Sequence, residues 1–148
     1  PPHLNSPRTL YYQEVLKGQL LPFPLLLRRE DQPFSINFAH KGIGDARMLP
    51  IIEMIDSLPA VQSINFCDNR LTDVSLMPLT AKLPHLKTLT SLNLNENDID
   101  ESSATIIDYL SDQECPLIEL FLDASDVDDL ECAKIASAIE SNTSIQVL

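Results

Sequence analysis

The sequence offers one pair of side chains whose types suit nucleophilic catalysis. His40 and Cys67 are predicted to lie on neighbouring strands, one position out of register, and a histidine that removes the proton of a thiol creates a strong nucleophile. No third residue stands ready to orient the histidine, and a shallow sheet surface does not exclude water. The sequence therefore predicts that the protein is not an enzyme.

Asparagine and acidic residues between positions 93 and 131 suggest a cation site at first sight. The segment that begins at Asn93 resembles an EF-hand calcium loop, but Asp98 stands where that loop needs glycine and Ala104 where it needs glutamate. The acids from Asp123 to Glu131 fall where a strand leads into a helix, and negative charge stabilises a helix N-terminus. With three glycines in all and no glycine-rich phosphate loop, the chain is predicted to hold no metal, cofactor or small-molecule substrate.

The negative charge is concentrated in the last third of the chain. The net charge is −12, yet residues 1–92 carry nine Lys and Arg against eight Asp and Glu. Residues 93–148 carry one basic side chain, Lys134, against fourteen acidic ones. Such a field repels nucleic-acid phosphates and attracts basic protein surfaces, although a purely solubilising surface has the same composition. Three scattered cysteines favour the cytoplasm, and no apolar run is long enough to cross a membrane.

The elements that must position these residues repeat every 28 positions. The anchors of the period are Ile36, Ile64, Leu92, Leu120 and Leu148. The motif L-x-x-L-x-L-x-x-N-x-L recurs around these anchors. The first copy differs at the first position of the motif, where it has Pro33. The alternating apolar residues predict one short strand in each copy. No copy can bury its apolar side alone, so the strands are expected to pair edge to edge.

An asparagine follows each of the two central strands, where the backbone must turn inward. Asn69 and Asn97 are 28 residues apart, and their amides can bind buried backbone groups of adjacent copies. Lys41 and Ser125 hold the same position in the outer copies. We therefore predict an asparagine ladder at Asn69 and Asn97 that weakens towards both ends.

Each strand is followed by apolar residues at helical spacing. One stripe contains Met48, Ile51, Ile52 and Ile55, and another contains Cys132, Ile135, Ala136 and Ile139. Pro50 and Pro78 occupy equivalent places. Because proline fits the first turn of a helix but not its interior, two helices are predicted to begin within a residue or two of them.

The ends of the chain differ from its middle. A helix is predicted after Ser6, with an apolar stripe of Leu10, Tyr11, Val15 and Leu16 and a stop at Gly18, followed by an irregular apolar segment through Leu27. Residues 1–32 are expected to form a helical cap on the repeats, which are placed at 33–60, 61–88, 89–116, 117–144 and, in part, 145–148. Because the chain stops on an anchor, Leu148, further repeats are expected in a longer protein.

The repeated phrase and the helix after it resemble the ribonuclease-inhibitor-like class of leucine-rich repeats, over residues 34–148. The resemblance implies an α/β fold, a right-handed leucine-rich-repeat solenoid in the shape of a horseshoe arc, with parallel strands on its concave face and helices on its convex face. Members include ribonuclease inhibitors, Ran GTPase-activating proteins, innate immune receptors, tropomodulins and proteins of cilia and flagella. The motif is specific for the fold and poorly specific for function.

Side chains between the buried leucines form columns across the repeats. Neighbouring strands lie about 4.8 Å apart, so the late acids are expected to gather around Phe121. The predicted partner-binding residues of the concave face are Asn93, Asn95, Glu96, Asp98, Glu119, Phe121, Asp123 and Asp126. An exposed aromatic ring among carboxylates suits a basic partner. Two alternatives stay open: Phe121 packs on a neighbouring strand while the acids are solvated, and the asparagines serve the sheet alone.

The sequence thus predicts a scaffold that binds a protein with a basic surface on its concave face, and no nucleic acid or membrane. One alternative is a regulator of an enzyme, of the GTPase-activator or nuclease-inhibitor type. Another is a structural component of a large assembly, such as a ciliary or flagellar complex. Nothing in the residues ranks these two.

Overall fold

Strands and helices alternate along the chain. The computed structural model describes residues 6–22, 35–58 and 60–148. The helices in these ranges are α1 (Pro7–Lys17), α2 (Gly44–Ile55), α3 (Asp73–Lys82), α4 (Ser102–Ser111) and α5 (Asp129–Ser141), with a 3-10 turn at Leu83–His85. The strands are β1 (Ser35–Asn37), β2 (Ser63–Asn65), β3 (Ser91–Asn93) and β4 (Glu119–Phe121). The predicted α/β class is confirmed over these residues.

The repeat anchors lie opposite one another in a single parallel sheet. Its strand order is β1-β2-β3-β4. Ile36 pairs with Ile64, Ile64 with Leu92, and Leu92 with Leu120. The 28-residue period of the sequence is therefore the register of the sheet.

Strands and helices share one hydrophobic core. Phe38 and Phe66, each two residues after an anchor, are buried and stack with ring centroids 6.2 Å apart. The predicted stripe of α2, at Met48, Ile51, Ile52 and Ile55, is completely buried. Each helix packs against the next, from α1 to α5. Every strand-helix unit thus covers its neighbour, as shared burial requires.

The predicted starts of α2 and α3 are wrong. The helices begin six and five residues before Pro50 and Pro78, so both prolines lie in helix interiors. Each proline removes the hydrogen bond to the carbonyl four residues earlier. Those carbonyls belong to Ala46 and Val74, which are exposed residues where water can replace the lost donor. Burial of the helix faces therefore outweighs the cost of an interior proline.

The non-repeating start forms the predicted helix. The Ser6 hydroxyl caps α1 by accepting a hydrogen bond from the Thr9 N–H at 3.2 Å. Tyr11 and Val15 are buried, whereas Leu16 is exposed, so the inward face is narrower than the predicted stripe. α1 packs against α2.

The last helix also differs from its predicted apolar face. Cys132 and Ala136 are exposed, and the buried residues of α5 are Ile135 and Ala138. Among the described helices, α5 packs against α4, and a single neighbour covers only a narrow stripe of a helix.

Two sequence-based predictions fall on other parts of the chain. Most of the irregular apolar segment that runs to Leu27, and the departure at Pro33, lie outside the described residues. Within the described ranges, no helix combines the length and the apolar character that a membrane span requires.

Candidate partner-binding surface

A tight turn with left-handed backbone follows each strand. The first left-handed position is held by His40, Asp68, Glu96 and Ala124, with φ between 50° and 58°. The second, two residues later, is held by Gly42, Arg70 and Asp126, with φ of 55° or 56°. This conformation costs a residue with a Cβ about 1–2 kcal/mol. Glu96 and Asp126, two of the predicted binding residues, are thus held by the packed turns in a strained conformation.

The structure brings three of the predicted acids together in a shallow depression. Its volume is about 320 Å³, and it is lined by Arg70, Leu71, Thr72, Glu96, Asn97, Asp98, Ala124 and Asp126. Glu96, Asp98 and Asp126 are exposed. Their carboxylates are therefore accessible to a partner.

Arg70 is the lining residue that the sequence-based prediction missed. It shares its repeat position with Asp98 and Asp126, and this column was the available signal. Arg70 is exposed and takes part in none of the ion pairs of the described chain. The depression is therefore negative in net charge but offers one guanidinium.

The other predicted residues lie apart from this depression. Glu119 and Phe121 are on β4 and half-buried, and Phe121 pairs with Asn93 in the sheet register. Asp123 is exposed, and its backbone N–H donates to Asn95 Oδ1 at 2.7 Å. The cluster expected around an exposed Phe121 is thus divided between strand and turns. The half-burial of Phe121 favours the alternative in which this side chain packs within the sheet.

Asparagine oxygens close the turns. Asn93 Oδ1 accepts a hydrogen bond from the Asn95 N–H at 3.0 Å. Asn37 and Asn65 make the same bond to the residue two positions later. The side-chain oxygens of Asn93 and Asn95 already accept hydrogen bonds from backbone N–H groups. Their NH2 groups remain available to donate hydrogen bonds to a partner.

Two buried asparagines tie neighbouring turns together. Asn97 Oδ1 accepts from the N–H groups of Asn69 and Leu71 at 3.2 and 3.1 Å. Asn97 Nδ2 donates to the carbonyls of Phe66, Leu94 and Asn95 at 3.0, 3.1 and 3.1 Å. One repeat earlier, Asn69 makes the matching contacts with Lys41, Ile43, Phe38, Phe66 and Cys67. Both side chains are at most 3% exposed, so these bonds satisfy buried backbone groups.

The series is weaker at Ser125, the equivalent residue of the last repeat. Its hydroxyl lies 3.2 Å from the carbonyls of both Leu94 and Asp123. A hydroxyl has one proton to donate, so it satisfies one carbonyl at a time, where the asparagine satisfies several groups at once.

A second series of contacts between repeats was not predicted. The Asp45 carboxylate accepts from the Thr72 N–H and hydroxyl at 2.9 and 2.8 Å, and from the Ser75 hydroxyl at 2.6 Å. One repeat later, the Asp73 carboxylate accepts from the Glu101 N–H at 2.7 Å and from the Ser102 hydroxyl at 2.6 Å. Asp73 therefore caps α4 directly, whereas Asp45 binds Thr72, the N-cap residue of α3. The sequence does contain a pattern that could have predicted this series, because acids recur at 28-residue spacing: Asp45, Asp73, Glu101 and Asp129.

These hydrogen bonds change the titration of both carboxyl groups. Burial alone would raise the pKa of Asp45, but hydrogen bonds from Ser75 and Thr72 outweigh burial and lower it. Burial would likewise raise the pKa of Asp73, and hydrogen bonds from Ser102 and its neighbours lower it. Donors that bind the ionised form stabilise that form, so both carboxylates make these contacts in the charged state.

The geometry does not support the candidate pair of His40 and Cys67. His40 Nδ1 lies 2.9 Å from Asp68 Oδ2, and the Cys67 thiol faces Glu96 Oε1 at 3.9 Å. Burial and the nearby carboxylates of Glu96 and Asp68 raise the pKa of Cys67. A protonated thiol is a poor nucleophile, so Cys67 is not activated.

The acids before α5 act on the helix start. Asp128 is its N-cap and forms a capping box with Glu131, whose N–H donates to Asp128 Oδ1 at 2.8 Å. In the part of the chain that the structure describes, no group of three or more His, Cys, Asp or Glu is arranged to hold a metal ion.

The chain is similar to a solved structure of low sequence identity. No protein-family model and no curated protein matches it. The solved structure is described as "Leiomodin-1 Actin-Binding Site 2 (ABS2)"; the TM-score is 0.67 at 18% identity, and the match covers 100% of this chain and 79% of that chain. At this identity the likeness is one of fold.

Proposed function

We propose that the chain is a leucine-rich-repeat module of the ribonuclease-inhibitor-like class that binds a protein partner. In this proposal the strands line the concave side of a solenoid arc, the helices form its convex side, and residues 1–32 cap the first repeat. The 28-residue register of the sheet and the contacts of Asn69 and Asn97 support the family, because they are made by its motif residues. The observation that carries the binding role is the depression shared by Glu96, Asp98 and Asp126.

The charge of this depression favours a partner with a basic surface. Three exposed carboxylates stand against one guanidinium, that of Arg70, and Lys134 is the one basic side chain after residue 92. Exposed charges steer an oppositely charged partner and select its orientation. The same charge repels nucleic-acid phosphates. Arg70 would fix the register by pairing with an acidic or carbonyl group of the partner.

Charge reversal in the depression tests this proposal. We expect Glu96→Lys/Asp98→Lys to weaken the binding of a lysine-rich model peptide by about tenfold or more at low salt, or about 1.4 kcal/mol, measured by isothermal titration calorimetry. The matched control, Glu114→Lys/Glu140→Lys, makes the same charge change at exposed acids outside the depression. Equal weakening in both variants would show attraction by net charge alone and would remove the depression as the binding site.

The fold likeness to an actin-binding site of leiomodin-1 supports actin as a second candidate partner. Co-sedimentation with filamentous actin tests it, using the wild-type chain, Glu96→Lys/Asp98→Lys and the control variant. Binding that only the depression variant loses would identify actin as the partner. Binding by none of the three would exclude actin and leave the peptide result to decide the basic-partner proposal.

The enzyme-regulator alternative makes a different prediction. A chain of that type changes the turnover of purified GTPases or inhibits a basic ribonuclease, whereas a scaffold leaves both rates unchanged.

A further inference from the structure

Three asparagines stand in register on the side of the sheet that faces away from the core. Asn37 pairs with Asn65 and Asn65 with Asn93, and at the end of the row Asn93 pairs with Phe121. All four side chains are exposed or half-buried. We call the three asparagines the amide column. The column lies on the strands, whereas the depression proposed as the partner site lies in the turns that follow them.

Each asparagine of the amide column uses its side-chain oxygen and leaves its NH2 group open. The oxygens accept hydrogen bonds from the N–H groups of Ala39, Cys67 and Asn95, two residues later, at 3.1, 3.0 and 3.0 Å. Within the described part of the chain, the three NH2 groups donate to no other group. Because the turns hold the oxygens, the amides present donors and not acceptors. The column is therefore a row of hydrogen-bond donors.

The charges around the amide column favour an uncharged acceptor. The strands β1, β2 and β3 carry no charged residue, whereas Glu119 lies on β4 and the exposed acids Glu96 and Asp123 lie in the adjoining turns. These carboxylates repel an anionic acceptor such as a phosphate. The main-chain carbonyl is a neutral acceptor, and every residue of a peptide carries one. A peptide backbone thus suits the column better than an anion does.

The spacing of the strands selects the conformation of that peptide. Neighbouring strands lie about 4.8 Å apart, so Asn37 and Asn93 are separated by about 9.6 Å across two spacings. A polyproline II helix rises about 3.1 Å per residue with three residues per turn, so its carbonyls of one orientation recur about every 9.3 Å, and none of them bonds within the helix. In a β-strand the equivalent carbonyls recur about every 6.6 Å, which matches neither one nor two strand spacings.

We propose that this face of the sheet binds a proline-rich segment of a partner protein, which crosses the strands as a polyproline II helix. The NH2 groups of Asn37 and Asn93 donate to carbonyls three residues apart. The accessible part of Phe121 packs against a proline ring, as aromatic side chains do in other proline-rich complexes. About five residues of such a segment cover the three strand spacings, about 14 Å.

This inference deepens the proposed function and rests on its claim that a protein partner binds on the strand side. The amide column adjoins the depression, because Asn93 is three residues before Glu96 in the same repeat. A partner that places a basic residue in the depression can therefore continue across the strands.

An NMR titration of the full chain with capped hexaproline tests the inference, since side-chain NH2 groups give signals of their own. We expect saturable shifts of the NH2 signals of Asn37 and Asn93. Affinity should be about fivefold lower for a capped glycine-serine hexapeptide, which is flexible and must be ordered on binding. Absence of saturable shifts up to roughly 50 mM hexaproline, or equal affinity for the two peptides, would overturn the inference.

Amide-to-acid variants separate donation from folding. Asn37→Asp/Asn93→Asp keeps the oxygens that accept from backbone N–H groups and removes the NH2 donors. We expect hexaproline affinity to fall about tenfold, with little change in the midpoint of urea unfolding. The control Gln62→Glu/Gln113→Glu adds the same charge at exposed positions outside the column and should leave affinity unchanged. Unchanged affinity in the column variant, or equal loss in both variants, would contradict donation by the column.

The lysine-rich peptide of the charge-reversal experiment distinguishes this inference from the proposed function. Binding of the lysine-rich peptide without binding of hexaproline would overturn the inference and leave the depression as the partner site. Binding of hexaproline without binding of the lysine-rich peptide would support the inference and overturn the choice of a basic partner.

Discussion

At the scale of single residues, the turns after the strands depend on side chains that take the place of backbone partners. Asn97 is the clearest case, because its amide oxygen accepts from two N–H groups and its two amide protons are shared among three carbonyls at 3.0–3.1 Å. Leucine or alanine at this position would leave those groups buried without partners. The motif asparagine is therefore fixed by hydrogen bonding, whereas its neighbours Glu96 and Asp98 are exposed and free to serve recognition.

Asn97→Ala is expected to lower the free energy of unfolding by about 3 kcal/mol, because it leaves buried backbone groups unsatisfied. Urea denaturation at neutral pH measures the loss. Asn95→Ala is the matched control: Asn95 is half-buried and accepts one hydrogen bond, from the Asp123 N–H, so its loss should be about 1 kcal/mol or less. Similar losses for the two variants would contradict a special role for the buried asparagine.

The left-handed turn positions give a second prediction at this scale. Gly42 has φ of 56° and no atom within 4 Å of an added Cβ, so Gly42→Ala should cost about 1 kcal/mol through the backbone alone. Ala124 has φ of 50°. Ala124→Gly releases the backbone strain but increases the freedom of the unfolded chain, and we expect the first effect to exceed the second and to stabilise the folded protein by about 0.5 kcal/mol. Thermal unfolding of both variants checks the opposite signs. Destabilisation by Ala124→Gly would show that the turn is not strained.

At the scale of elements, the start of α4 depends on a cap supplied by the preceding repeat. α4 has no capping side chain of its own, and Asp73 of the preceding helix provides it. The contact joins the helix start of one repeat to that of the next. Sheet pairing, the asparagine contacts and these carboxylates thus link neighbouring repeats at three separate places.

The lowered pKa of Asp73 makes this link sensitive to acid. Because the folded-state pKa lies below the ordinary value of 3.8, the charged cap contributes in full above that value and is lost as pH falls through the folded-state pKa. Asp73→Asn should therefore cost about 1 kcal/mol at pH 7, and the difference from wild type should vanish in acid. Urea unfolding between neutral pH and about pH 2 measures it. Glu101 is an exposed acid at the same repeat position. The control Glu101→Gln should therefore differ little from wild type in its free energy of unfolding, both at neutral pH and in acid.

The sequence predicted the sheet better than the helices, and the reason is physical. Strand positions follow from alternation and period, and Ile64 and Leu92 pair as the period requires. Pro50 was a misleading guide to the start of α2, because an interior proline is tolerated where the carbonyl that it leaves without a donor, that of Ala46, belongs to an exposed residue. The spacing between strands placed Glu96 near Asp98 and Asp126. The half-burial of Phe121 and the position of Arg70 depend on three-dimensional packing that spacing does not encode.

At the scale of the whole molecule, the acids are unevenly distributed. Residues 93–148 hold fourteen of them with Lys134 as the one basic side chain, and these acids lie on β4, α4, α5 and the intervening turns. Folding brings these like charges closer together than they are in the unfolded chain, which destabilises the compact state. The same excess supplies the field that the proposed partner would meet, so a property that favours binding opposes stability.

Salt should therefore stabilise the protein. Raising sodium chloride from about 0.01 M to about 0.5 M shortens the Debye length several-fold, and we expect the free energy of unfolding to rise by about 1 kcal/mol as the repulsion is screened. Glu114→Lys/Glu140→Lys reduces the negative charge at two exposed positions and should be more stable than wild type at low salt, with a smaller response to added salt. Urea unfolding at both salt concentrations measures the four values. A salt response of equal size in the variant and the wild type would show that screening of the acidic excess is not its cause, since a general effect of salt on apolar burial acts on both chains alike.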